Sequence, residues 1–122
     1  VLAAMNRLSD ATAPDGLGAA AYAAVLAEDY SRWTSGSRSL NGKRAWVEGI
    51  GKWIGDGWRV AESRQTVIGI TIRGDFAFSR RIVEETYLGP EGETSKSKAA
   101  LVETWIYEKD RWLLLQANVD VL

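Results

Sequence analysis

The residues best placed to do chemistry in this chain are Arg80, Glu103 and Gln116, because strand alternation can bring them into one polar row. Glu103 stands in LVETWIYEKDRWLLLQAN (101–118), among Leu101, Trp105 and Tyr107, so a carboxylate occupies a face otherwise built for a core. A hairpin turning about Lys109–Asp110 sets Glu103 opposite Gln116, Trp105 opposite Leu114 and Tyr107 opposite Trp112. A hairpin turning about Glu91–Gly92 sets Arg80 opposite Glu103, Phe78 opposite Trp105 and Ile82 opposite Leu101. The row depends on both turns, since a one-residue slip sends every side chain to the other face. It has two readings. Converging polar groups in an apolar wall are the usual makeup of a small-molecule site. An ion pair with a glutamine partner is also the ordinary way to satisfy buried polar groups.

Composition narrows the chemistry. The 122 residues contain no histidine and no cysteine, which excludes imidazole acid–base work, His-ligated metals, thiolate zinc sites and disulfides. Catalysis would have to use Asp, Glu, Lys, Arg, Tyr or Ser. Glu84 and Glu85 point to opposite faces of a strand, so no metal site is expected, and no cofactor. A net charge of −1 gives no electrostatic reason for a nucleic-acid or membrane partner, and no apolar run reaches the roughly 18 residues of a spanning helix. The RGD at 73–75 reads as a tight turn. The glycines at 49, 51, 55 and 57 lie in or after a helix, so they are not a dinucleotide loop.

The elements that must position the row form one domain, 1–122. Residues 1–10 read as the tail of a helix, followed by the breaker-rich DATAPDGLG. A second helix is expected over AAAYAAVLAEDY and a short strand at YSRWT. A third helix, KRAWVEGIGKWIGDG, carries Trp46, Ile50, Trp53 and Ile54 on one apolar stripe, where core packing is the default role. From Trp58 the period becomes two, giving a four-strand antiparallel meander whose first strand is bulged near Gly69. The plan is α+β, with about three helices on the concave face of a curved sheet of four long strands and a short one. Leu113, Leu115, Ala117, Val119 and Val121 on one side, with Leu114 and Trp112 on the other, leave a second apolar face that a homodimer would cover.

The phrases LAEDYSRW, NGKRAWVEGI, IRGDFAFSRR and VETWIYEKDRWLLLQAN, in this order and spacing, resemble the nuclear transport factor 2-like superfamily, and within it the SnoaL-like and ketosteroid-isomerase-like branch. The resemblance spans nearly the whole chain. It implies a cone-shaped α+β fold with a deep apolar pocket and frequent dimerisation through the outer sheet face. It also implies that Glu103 matches the isomerase acid that, kept neutral by burial, donates a hydrogen bond to the developing oxyanion, so Glu103 is the catalytic candidate. An arginine opposite works against that role, because it favours the charged carboxylate. The isomerase base has no counterpart: RWTSG places Trp33 and Thr34 where an aspartate would stand, and Thr34 is no base at neutral pH. Met5 and Asn6 stand where the first-helix tyrosine would be.

These readings give a ligand-binding set of Trp33, Arg80, Glu103, Trp105, Gln116 and Asn118. The expected function is binding of a small apolar molecule, with an isomerase- or cyclase-like activity lacking the usual Asp base; the alternative is a non-catalytic homodimerisation or association domain. The start at Val1, inside a helix and without a signal-peptide pattern, suggests a trimmed segment before it and a cytoplasmic location.

Overall fold

The computed structural model describes all of residues 1–122. Its elements follow in the order α1 (Leu2–Ala11), α2 (Ala19–Ala23), β1 (Leu26–Thr34), β2 (Asn41–Gly42), α3 (Lys43–Gly55), β3 (Arg59–Arg73), β4 (Phe76–Leu88), β5 (Thr94–Glu108) and β6 (Arg111–Val121). The strands form one curved, unclosed sheet in the order β2-β1-β6-β5-β4-β3, with the helices packed against it. The meander from β3 to β6 is antiparallel, whereas β1 joins β6 in parallel, so the sheet is mixed. No helix is long and apolar enough to cross a membrane.

Helix α1 lies where its apolar stripe is buried. In α1 the buried residues Ala4, Met5, Leu8 and Ala11 share one face at helical spacing. They join Val25, Leu26, Tyr30, Ala77, Trp105, Leu114 and Ala117 in the core. The end of α3 is set by Gly57, whose φ of +101° favours glycine. A Cβ there would also come within 2.6 Å of Pro90 in the β4–β5 hairpin.

The second helix is shorter than its alanine-rich sequence predicts. It stops at Ala23, and β1 takes Leu26 to Thr34, covering residues expected to be helical. The reason is tertiary: Val25, Leu26, Ala27 and Tyr30 are buried, and the Val25 carbonyl accepts from the Leu114 N–H at 2.8 Å. Burial and a ladder partner override a helix propensity that differs by only tenths of a kcal/mol per residue. Between Leu26 and Ser31 the β1–β6 register shifts, so Tyr30 turns inward from an irregular stretch.

The two hairpins decide where the polar residues point. At the last turn Lys109 and Asp110 adopt positive φ, and Trp105–Leu114 and Tyr107–Trp112 pair as expected. Beyond Trp105 the ladder slips by one residue, because Leu115 is extra on β6, and Glu103 comes to face Ala117 while Gln116 faces Thr104. The β4–β5 loop spans residues 89–93, since Leu88 pairs with Thr94. Gly89 N–H donates to the Glu93 carbonyl at 2.8 Å, and the Glu93 carboxylate accepts from Glu91 N–H at 2.6 Å. This odd-membered loop sets Ser79 opposite Glu103 and Arg80 opposite Val102. Bulges in β3 at Val60/Glu62 and Val67/Gly69 complete the register, the second where the sequence places it.

Candidate functional site

The concave face of the sheet and the apolar stripe of α3 enclose a cavity of about 540 Å³. Its wall is largely apolar, with Leu8 from α1, Ile50 and Trp53 from α3, and Leu101 and Val119 from the sheet. Trp46 and Trp53, read from the sequence as core, are cavity walls. The β4 residues reaching the cavity are Arg81, Val83, Glu85 and Tyr87, every second position of one strand, and β1 contributes Arg32 and Thr34.

One polar network underlies this cavity. Arg81 donates from Nε and Nη2 to the two carboxylate oxygens of Glu103 at 2.8 and 2.9 Å, and from Nη1 to Gln65 Oε1 at 2.6 Å. Gln65 donates in turn to Asn6 Oδ1 at 3.0 Å. Ser79 Oγ donates to Glu103 at 3.3 Å and accepts from Trp105 Nε1 at 2.9 Å. Glu103 is 1% exposed and Arg81 8%. A buried charge is tolerated only when paired and hydrogen-bonded, and this bidentate fork meets that condition. Both Glu103 oxygens are engaged by Arg81, so Glu103 stands behind Arg81 and is not itself a wall of the cavity.

The structure thus replaces the expected row. Glu103 does meet an arginine, but it is Arg81, and Gln65 takes the place of Gln116. Arg80 pairs with Val102 and Gln116 with Thr104, both exposed on the outer face. Trp33 pairs with Asn118, and Asn118 with Val102, so these residues also belong to the outer face. The Trp33 indole donates to the Ser37 carbonyl at 2.9 Å. Trp105 lies fully within the core, opposite Ala77 and not Phe78, and does not reach the cavity. For Arg80, Gln116 and Asn118 the physical cause is a one-residue slip, which exchanges the faces of a strand; Trp33 lies on β1, outside both hairpins, and Trp105 keeps its face but is buried in the core.

Three polar features of the cavity stand out. Arg32 lays its guanidinium over the Trp46 ring, 4.1 Å from the centroid. The Trp46 Nε1 and Tyr30 Oη atoms are buried without a hydrogen-bond partner. Glu85 is the only acid in the cavity wall; burial pushes its carboxyl above the ordinary range, against the hydrogen bond from Tyr87 Oη at 3.3 Å and the charges of Arg32 and Arg81. Burial likewise raises the phenols of Tyr22, Tyr30 and Tyr87. Sequence reading missed Arg32, Arg81 and Glu85 as a group. For Arg81 and Glu85 the available signal was their parity with Leu101 and Tyr87 once the hairpin loop is given an odd number of residues; Arg32, on β1, carries no such signal.

A second concavity, about 780 Å³, lies beside α1 and the start of β6. Its charged groups, Arg7, Asp10, Asp15 and Arg111, are exposed, and neither of the unpartnered buried atoms belongs to its lining.

No family model matches the chain, and no curated protein does. Solved structures do. A conserved protein from Planctomyces limnophilus superposes with a TM-score of 0.81 at 18% identity, over 99% of this chain and 92% of that one. A nuclear transport factor 2-like protein from Cytophaga hutchinsonii gives 0.76 at 12% identity, over 99% and 94%. A candidate Ca/calmodulin-dependent kinase II association domain from Exiguobacterium sibiricum gives 0.76 at 12%, over 99% and 88%. With its curved six-stranded sheet wrapped around three helices, this chain has the nuclear transport factor 2-like fold that its sequence phrases resemble.

Proposed function

We propose that this domain binds a small, largely apolar molecule in the cavity between α3 and the sheet. The observation that carries the reading is the cavity itself: about 540 Å³, within the range of small-molecule sites, with hydrophobic side chains as 12 of its 22 lining residues. In this reading Arg81 is the polar floor, and Glu103 acts through it by fixing its charge and orientation. The chemistry such a site could add is proton transfer at Glu85, the one carboxyl in the wall and one whose affinity for its proton is raised by burial. The test is a thermal-shift and tryptophan-fluorescence screen of small aromatic and aliphatic compounds against the chain and an Ala99→Phe variant. Ala99 lines the cavity, so the larger ring should fill it and abolish binding. A screen in which nothing binds, or in which Ala99→Phe binds equally well, rules the reading out.

A second reading, self-association, is favoured by the outer sheet face. Phe76, Phe78 and Val102 are 42%, 47% and 49% exposed there, a cluster that an isolated domain has reason to cover. One structural neighbour is named as an association domain, which points the same way. Sedimentation at micromolar concentration should give a dimer; a monomer at that concentration defeats this reading.

A further inference from the structure

We propose that the molecule held in the cavity carries a carboxylate, gripped by the Arg32 guanidinium and the Trp46 indole N–H. The proposal rests on the cavity being a binding site and adds the chemistry of the ligand's head group. Two arginines face the cavity. Arg81 is matched in charge by Glu103 and has its N–H groups spent on Glu103 and Gln65. Arg32 has no acidic partner: the ion pairs of the chain use Lys43, Arg44, Arg64, Arg81 and Lys98, and its side-chain neighbour is the neutral Tyr30 hydroxyl. The Arg32 guanidinium sits 4.1 Å from the Trp46 ring centroid, and a guanidinium held over an aromatic ring can still fork its N–H groups onto two oxygens.

Beside it, Trp46 Nε1 is a buried donor with nothing to donate to. An orphaned buried donor is costly and rare in folded proteins, so a partner is to be sought. Trp46 Nε1 lacks an acceptor and Arg32 lacks a counter-charge. What they lack in common is an anionic acceptor. Glu85 does not supply it, because no carboxylate oxygen lies within 4.0 Å of Arg32, and Glu85 is instead held by the Tyr87 hydroxyl. One guanidinium and one indole N–H suit a monoanion with two oxygens. Ile50, Trp53, Leu101 and Val119 then take its apolar body.

The test uses 2-naphthoate, 2-naphthamide and 2-naphthylmethylamine, titrated calorimetrically into the chain. The acid should bind about tenfold or more tightly than the amide, the scale of a charge-assisted hydrogen bond. Arg32→Gln should abolish that preference and leave the amide within about twofold. Trp46→Phe keeps a ring for stacking and should weaken the acid by several-fold. Arg32→Lys, which keeps the charge without the fork, should show an intermediate preference and serves if Arg32→Gln fails to fold. Equal binding of acid and amide, or a preference that survives Arg32→Gln, overturns the carboxylate while leaving the cavity as an apolar site. Tighter binding of the amine assigns the charged contact to Glu85 and also overturns it. Failure of all three compounds, together with an empty screen, overturns the binding reading as well.

Discussion

Arg80 and Arg81 are neighbours in sequence and live on opposite sides of one strand. Arg81 is buried on the concave face, with both carboxylate oxygens of Glu103 and the amide oxygen of Gln65 within 3 Å. Arg80 is exposed on the convex face opposite Val102, with no ion pair. The two faces follow the same division throughout. The concave face gathers a paired network beneath an apolar cavity, whereas the convex face interleaves Trp33, Phe78 and Val102 with Asn118, Gln116 and Arg80. Residue type says little about role here; the face decides it. A polar group on the concave side must be satisfied by protein or ligand, while one on the convex side is satisfied by water.

The sharpest way to break this comparison is to truncate both arginines. Arg81→Ala leaves the Glu103 carboxylate buried without its partner, and breaking a buried pair in this way costs about 3–5 kcal/mol. Arg80→Ala removes an exposed side chain and should stay within about 0.5 kcal/mol. Urea denaturation of the two variants measures the difference. Replacing the pair together, as Arg81→Met with Glu103→Leu, should recover most of the loss, because no charge is then left stranded. Equal effects of the two single variants would mean that the faces are not distinct in solution.

The sequence carried the architecture further than the site. Period-two alternation from Trp58 onward, the Gly74–Asp75 turn and the Lys109–Asp110 turn are local signals, and the strands form where those signals put them. The pairing of Glu103 with an arginine was legible as a type of contact, since a carboxylate on an apolar face demands one. Its partner was not legible, because register depends on counting residues in the 89–93 loop and on the extra Leu115, neither of which has a periodic signature. One miscounted residue in each hairpin carried Arg80, Gln116 and Asn118 onto the wrong side, while Trp33 was placed by the resemblance alone and its position on β1 turns it outward. The short α2 was missed for a different reason: alanine propensity is local, and the burial of Val25 to Ala27 against β6 is not.

The same comparison recurs in the carboxylates of Glu84 and Glu85, with a smaller effect. Glu84 lies on the convex face between Arg64 at 3.9 Å and Lys98 at 3.7 Å, both well exposed, so Glu84→Gln should change stability by under about 0.5 kcal/mol. Glu85 lies on the cavity wall, and burial raises its folded-state pKa above the ordinary 4.5. Between 4.5 and that raised value the folded state binds more protons than the unfolded one, so stability falls as pH rises through this window. Above that raised value the ionised Glu85 is a net cost. Glu85→Gln removes it and should raise Tm at pH 7, on the order of 2 °C. The gain should shrink as pH is lowered toward 4.5, because the wild-type carboxyl then becomes neutral too. Thermal melts of both variants at pH 7 and pH 5 check the sign. A lower Tm for Glu85→Gln at pH 7 would mean that Glu85 is held as a charged partner of Arg32 after all. The concave face would then be balanced within the protein, and the case for an anionic ligand would weaken with it.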